Sequence, residues 1–325
     1  MLISLARPFV QAVRRTRNRL MSTNDTPVIV LLYHRVATLA SDPQQLAISP
    51  DNFRDQMCYL KANFPILSFE DDWSHLSRLS IAITFDDGYA DNALNVLPIL
   101  EEVGVPATFF VSTGNLDTRQ EYWWDELERI ILGNRPLPKF FALHDERFGR
   151  RWPTGTPLER QKFYLKITPL MKKITAERRD DWLGQFRQWA GTDVLGRSAY
   201  RAMTGKELQH LAGSNYVTIG AHTVTHSRLS VLSEQQQRDE IFTSKRQLEA
   251  LLGKTITAFS YPYGKKGDYN GTSVRLCREA GFSKAASNFP GMAYRWTDPL
   301  QIPRYLVRNW DRETFVTRMK VIGVR

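Results

Sequence analysis

The sequence predicts an α/β fold built on a parallel β-sheet, and three observations carry that prediction. Short apolar runs of strand length recur along the chain, and segments of helical period separate them. The residues with chemical potential follow the carboxyl ends of the runs, which is the ligand-binding edge of parallel α/β folds.

The predicted strands are Val28–Tyr33, Ile66–Phe69, Ile81–Phe85, Thr108–Val111, Val217–Gly220, Thr257–Tyr261 and Lys284–Ser287. Ser49-Pro50 opens the first predicted helix, through Phe53, Met57, Tyr59 and Leu60, with Pro in a favoured first-turn position. Asp91 begins the next, through Ala93, Leu94, Leu97 and Leu100 to Gly104, and Pro98 is expected to kink or shorten it. Thr204 to Ala212 follows. Ser233-x-x-Gln236 then reads as a capping box, opening a segment that runs to Leu252 and stops at Gly253. Ser273 to Ala280 and Asp311 to Met319 complete the set. Alternation of this kind gives a parallel sheet covered on its faces, either open or closed into a barrel.

Residues 117–203 break the alternation. They are rich in Trp, Arg, Leu and Lys and read as mainly helical: Asp125–Leu132, Leu158–Lys173 and Ala176–Ala190, with a short strand at Phe140-Phe141-Ala142. We expect an insertion or cap between two strands. Its Trp123-Trp124 pair has two readings, a platform for a sugar ring or an anchor for the cap.

Apolar content of 42% and charged content of 24% are globular values. Cys58 and Cys277 are the only cysteines, so a disulfide framework and a cysteine metal cluster are excluded; both read as small buried hydrophobes. The net charge of +10 is uneven, with Arg7, Arg14, Arg15, Arg17 and Arg19 against Asp25 in residues 1–26. No basic stripe interleaved with aromatics occurs, which argues against a nucleic-acid partner. In the leader the apolar residues precede the basic ones, the reverse of a signal peptide. It reads as a basic amphipathic helix on a membrane surface through residues 1–20, as a tail, or as sequence upstream of a true start at Met21. A cytoplasmic location, at the inner membrane face, is the corresponding expectation.

Asp86-Asp87 closes the apolar run Ile81–Phe85, an arrangement in which two carboxylates repel and both resist desolvation. A divalent cation on one of them, with the other left as a base, resolves the conflict. His222-Thr223-Val224-Thr225-His226 offers the partner, because His at i and i+4 share one face of a helical turn. His34 ends Val28–Tyr33, and Tyr261-Pro262-Tyr263-Gly264 follows another run. His75, His144 and His210 have no partner spacing and read as surface or structural.

Thr84-Phe85-Asp86-Asp87-Gly88, His222-Thr223-Val224-Thr225-His226 and Tyr261-Pro262-Tyr263-Gly264 together resemble, in order and context, the motifs of the polysaccharide deacetylase family of NodB homology (carbohydrate esterase family 4). The resemblance covers roughly residues 27–325. Tyr33-His34-Arg35-Val36 is similar to the subgroup acting on poly-N-acetylglucosamine exopolysaccharides. It implies a distorted (β/α)7 barrel and metal-dependent hydrolysis of N-acetyl groups on a glycan. Carried over by position, Asp87, His222 and His226 would hold one divalent ion, most suitably Zn2+, and Asp86 would be the base taking a proton from the bound water. The backbone N–H of Tyr263 would meet the oxyanion, and Tyr261 of the same motif would lie with it on the substrate side. The sequence departs from the commoner pattern in having Tyr261 where an Arg orients the base, and no His after His226. The subgroup resemblance makes His34 the candidate acid, and Arg304 is the candidate replacement beside Asp86. An O-acetyl esterase, a small-amide hydrolase and a non-catalytic glycan-binding module are the alternatives.

Overall fold

The structure is a computed structural model that describes residues 25–145 and 149–323. The basic leader therefore lies outside the described residues except for its last two positions. Twelve strands are described: β1 Val28–Tyr33, β2 Arg35–Val36, β3 Ala47–Ile48, β4 Ile66–Leu67, β5 Ser80–Phe85, β6 Ala107–Val111, β7 Phe140–Leu143, β8 Arg150–Pro153, β9 Val217–Ala221, β10 Ala258–Ser260, β11 Lys284–Ala286 and β12 Tyr305–Leu306. The α-helices are α1 Pro50–Asn63, α2 Leu97–Val103, α3 Trp123–Leu132, α4 Pro157–Met171, α5 Ala176–Ala190, α6 Gly205–Ala212, α7 Glu234–Leu252, α8 Gly271–Glu279 and α9 Arg312–Ile322.

The main sheet is parallel throughout, in the order β11-β10-β9-β6-β5-β1-β12. Strand β4 shares an edge of β5 with β6: Ile66 and Leu67 pair with Ile81 and Ala82, while Thr108 and Phe109 pair with Thr84 and Phe85. Residues 299–307 carry the hydrogen bonding from β11 back to β1. Ile302 N–H donates to Ala285 O (2.9 Å), and Ser287 N–H donates to Ile302 O (2.8 Å). Tyr305 and Leu306 then pair with Leu31 and Leu32. The sheet thus curls into a distorted barrel, as the motifs implied. The pairing of β12 was not foreseen, because two residues are too short a run to show a period.

Each strand alternates between two cores, as a period of two requires. Ile29, Leu31, Tyr33, Ile81, Ile83 and Phe85 face the surrounding helices. Val28, Val30, Ala82, Phe110, Ala258, Ala286 and Ile302 meet inside the ring, although they come from strands far apart in sequence. Phe110 is fully buried in that interior, and burial of such a side chain contributes about 1.5–3 kcal/mol.

The helices start and stop where sequence chemistry directs. The Ser49 side chain accepts from Asn52 N–H at the start of α1, and Ser233 with Gln236 forms the capping box of α7. Before α2 the chain makes a π-type segment, Asn92–Val96, because Pro98 has no N–H to donate and its ring crowds the preceding turn. Cys58 corrects the reading of two buried thiols. It is exposed on α1, whose buried positions are Phe53, Gln56, Met57 and Leu60, whereas Cys277 is buried.

Between β6 and β9, helices α3, α4 and α5 and the antiparallel hairpin β7–β8 build a separate core around Trp124, Leu127, Phe141, Phe163, Ile167, Trp182 and Phe186. This core joins the barrel through Tyr89 and Tyr122, whose rings meet edge to face at 4.8 Å.

Gly88, just past β5, has φ +88°, and a Cβ there would lie 2.9 Å from Val111 Cγ1. Both backbone conformation and space therefore demand glycine. Gly88→Ala should lower the unfolding free energy by more than about 1 kcal/mol, read from the urea midpoint.

Candidate metal and acid–base site

The alternation that sorts the two cores also sorts the functional residues. Tyr33, Phe85, Ala221 and Tyr261 fall on outward positions, so His34, Asp86, His222 and Ser260 fall on inward ones. Asp86 and His222 remain tied to the sheet, their N–H groups donating to Tyr33 O and Val111 O (both 3.0 Å). Tyr261 corrects the sequence reading. Its ring stacks on Tyr269 (3.9 Å between centroids, 9° between planes) and its hydroxyl donates to Leu300 O (3.0 Å), so it belongs to the outer core rather than to the substrate side.

Asp87, His222 and His226 converge, with one donor atom of each within 4.8 Å of the others. Asp87 Oδ1 lies 3.6 Å from His222 Nε2 and 3.2 Å from His226 Nε2. A tetrahedral ion about 2.0–2.1 Å from its donors would space them about 3.3–3.4 Å apart, close to the two distances from Asp87 to the imidazoles. Asp87 Oδ1 is buried and lacks a hydrogen-bond partner, which an ion would remedy. His222 Nδ1 lies 2.7 Å from Ser260 O, which fixes the tautomer that turns Nε2 toward Asp87. Burial alone would raise the Asp87 pKa, but the two imidazoles outweigh it and hold the carboxyl far below its usual range. Burial pushes His226 down to about 4, keeping the imidazole neutral and available as a ligand.

The histidine pair does not sit on a helical turn as expected. Residues 222–228 form a loop in which Thr223 and His226 take φ +65° and +52°. Its amides are satisfied from outside: Val224 and Thr225 N–H donate to Glu240 Oε2 (2.8 and 2.9 Å), and Gly114 N–H donates to Val224 O (2.8 Å). Arg179 of α5 donates to Thr225 O (2.8 Å). Asp87 is held similarly, its carbonyl accepting from the Tyr122 hydroxyl (2.5 Å). Six described non-glycine residues have positive φ, and four of them, Asp87, Thr223, His226 and Tyr263, lie in these loops. Strain of this kind persists only where surrounding contacts over-determine it.

Arg304 comes to the site from the segment that joins β11 to β12. Its guanidinium grips Asp86 in a fork, Nη1 to Oδ1 at 2.7 Å and Nη2 to Oδ2 at 2.6 Å. Nε donates to Ser287 O (2.8 Å), Nη1 also to Thr84 Oγ1 (3.2 Å), and Nη2 also to Ser260 Oγ (2.9 Å). Burial would raise the Asp86 pKa, yet Arg304 and then His222 outweigh it and hold it below the ordinary value. The structure thus places Arg304 where the sequence reading put it.

These groups open on a cleft of about 170 Å³ lined by His34, Asp86, Asp87, His222, His226 and Tyr263. Burial lowers the His34 pKa, against the pull of Asp87 and Asp86. Trp123 and Trp124 also line it, and both anchor the cap. Trp123 Nε1 donates to the Tyr263 hydroxyl (3.3 Å), and Trp124 Nε1 to the Tyr89 hydroxyl (2.7 Å). Sequence reading missed Lys172, Lys265, Asn288 and Arg308, which line the same cleft. No motif marks them, since they come from four separate segments.

The family model for polysaccharide deacetylase matches residues 75–132 and 188–285, which include Asp86, Asp87, His222, His226 and Tyr263 and omit His34 and Arg304. The chain carries a polysaccharide deacetylase domain over those residues. The Bacillus subtilis protein YxkH, itself named for this family, is 28% identical over 93 residues, a match that spans 29% of this chain and 32% of that protein. Among solved structures, IcaB from Ammonifex degensii aligns with a TM-score of 0.60 at 17% identity, covering 92% of this chain and 98% of that one. A polysaccharide deacetylase from Bacillus cereus gives 0.59 at 19% identity, over 90% and 69%. The deacetylase PplD of Streptococcus pyogenes gives 0.57 at 17% identity, over 91% and 99%. These likenesses show that the polysaccharide deacetylase fold is shared.

Arg304→Met in this deacetylase domain would strand a buried carboxylate and should cost about 3–5 kcal/mol, read from urea unfolding. The double variant with Asp86→Asn should recover part of that loss. Because the folded Asp86 pKa is depressed, its stabilising contribution is present above the ordinary value of about 3.9 and is lost as pH falls through the native value. The stability gap between wild type and Asp86→Asn should therefore shrink on acidification.

Proposed function

We propose that the protein is a metal-dependent hydrolase that removes N-acetyl groups from an N-acetylated polysaccharide or glycan precursor. The observation that carries this reading is the juxtaposition of two carboxylates in different surroundings. Asp87 faces two imidazoles, and Asp86, its neighbour in sequence, is clamped by Arg304.

Asp87, His222 and His226 would hold the divalent ion, and two imidazoles with one carboxylate suit Zn2+. Such an ion supplies Lewis acidity, polarising an amide carbonyl and making water a better nucleophile near neutral pH. The remaining work belongs to the chain. Asp86 accepts the proton of the attacking water, and Arg304 keeps it ionised and aimed into the cleft. The backbone N–H of Tyr263 is assigned to the charge that develops on the acetyl oxygen. Collapse breaks the C–N bond, and the leaving amine takes a proton from His34 on the adjoining strand end. Acetate and the free amino sugar result.

An amine is a poor leaving group without that proton, whereas an alkoxide needs less help, so the acid separates amide from ester cleavage. His34→Ala should slow acetate release from an N-acetylglucosamine oligomer on the order of 100-fold, and release from acetylated xylan by much less. Equal losses would remove His34 as the donor to the leaving amine, and wild-type release from acetylated xylan alone would favour an esterase. Wild-type turnover should fall as pH rises through the His34 pKa, a limb absent from His34→Ala. Asp86→Asn should abolish acetate release from both substrates while leaving the circular dichroism spectrum unchanged; full activity would remove Asp86 as the base.

A further inference from the structure

Three cations line the catalytic cleft without an ion-pair partner among the described residues. Lys172 follows the carboxyl end of α4, Lys265 follows Tyr263-Gly264, and Arg308 follows β12. None of the three makes an ion pair among the described residues, whereas most buried or half-buried arginines do; Lys265 is exposed at the rim, and Arg308 is half-buried. Lys172 is half-buried, with its ammonium 5.0 Å from the centroid of the Tyr263 ring. Arg308 donates to the backbone carbonyls of Gln44 and Gln45, which fixes its head without neutralising it. The two acidic residues of the cleft are already committed, Asp86 to Arg304 and Asp87 to the imidazole pair.

We infer that the substrate carries an anionic group next to the acetamido group being cleaved, and that Lys172 and Lys265 receive it, with Arg308 reinforcing the field from its own segment. This deepens the deacetylase reading and rests on it. Like charges held together at the wall of a narrow cleft repel, and the Lys172 pKa is lowered by burial and then by Lys265, against the smaller opposing pull of Asp268 and Asp87. An anion between them removes that cost, whereas a neutral sugar leaves it in place. A polymer already carrying free amino groups would be repelled, so the charge pattern favours a phosphorylated or uronate-bearing acetamido sugar over long runs of deacetylated product. Phosphate and carboxylate share the recognising chemistry, and the assay separates them.

The test uses the full-length Asp86→Asn protein, so that binding is measured without turnover. Calorimetry compares N-acetylglucosamine 1-phosphate, a disaccharide of N-acetylglucosamine and glucuronate, and neutral chitobiose. At least one anionic ligand should bind about tenfold or more tightly than chitobiose, a difference of about 1.4 kcal/mol. That preference should weaken at high salt and collapse in Lys172→Met/Lys265→Met, while Lys172→Arg retains it. Whichever anion shows the larger preference identifies the source. Equal binding of all three ligands, or a preference that survives the double lysine variant, overturns the inference. Acetate release by the wild-type enzyme is scored separately, so loss of the anion preference leaves the deacetylase reading standing, and absence of acetate release does not decide the binding result.

Discussion

A single buried ion pair organises this molecule. Arg304 and Asp86 lie on segments more than 200 residues apart, and their fork joins the end of β5 to the stretch that brings the sheet back to β1. Two charges in that position would each be costly alone, and their mutual attraction is effective because Thr84, Ser260 and Ser287 satisfy the remaining guanidinium donors. The pair therefore acts on the fold and on the candidate site at once. It ties the closure of the ring to the strand that carries both carboxylates, and it sets one carboxylate apart from the other.

That separation is the basis of the site. Two adjacent aspartates meet different partners because the backbone turns between them. Asp86 continues the strand and points inward, while Asp87 leaves it with φ +79° and turns toward the histidine loop. Gly88 completes the turn against Val111, and the Tyr122 hydroxyl holds the Asp87 carbonyl. The cap between β6 and β9 thus reaches the chemistry through tyrosine, tryptophan and arginine contacts. Tyr122, Trp124 and Arg179 brace Asp87, His226 and the Thr225 carbonyl in turn.

Much of this was legible in the sequence, for a physical reason. Buried parallel strands are apolar on both faces, and the first polar residues after them mark the carboxyl edge of the sheet, which is why the sequence alone brings Asp86, Asp87, His34 and His222 together. Arg304 was legible as a substitute for a missing arginine, although nothing local in Ile302-Pro303-Arg304 signals a fork. Motif membership points Tyr261 at the site, but strand parity does not: counting by twos from Phe259 sends its ring to the outer core. The His-x-x-x-His spacing suggested a helical turn, but Glu240 and Gly114 supply the loop's hydrogen bonds from elsewhere, and no local pattern reports them. Strand β12 and the basic residues of the cleft were silent for the same reason: their meaning comes from long-range contacts.

The central claim is that Asp87, His222 and His226 form one ion site beside a carboxylate that does not share it. Calorimetric titration of Zn2+ into chelator-stripped protein tests this most directly. The account predicts one tight site per chain that survives Asp86→Asn and is lost in His222→Ala and in His226→Ala, with each variant still folded by circular dichroism. Tight binding that persists without either histidine, or no tight site in the wild-type protein, would contradict it.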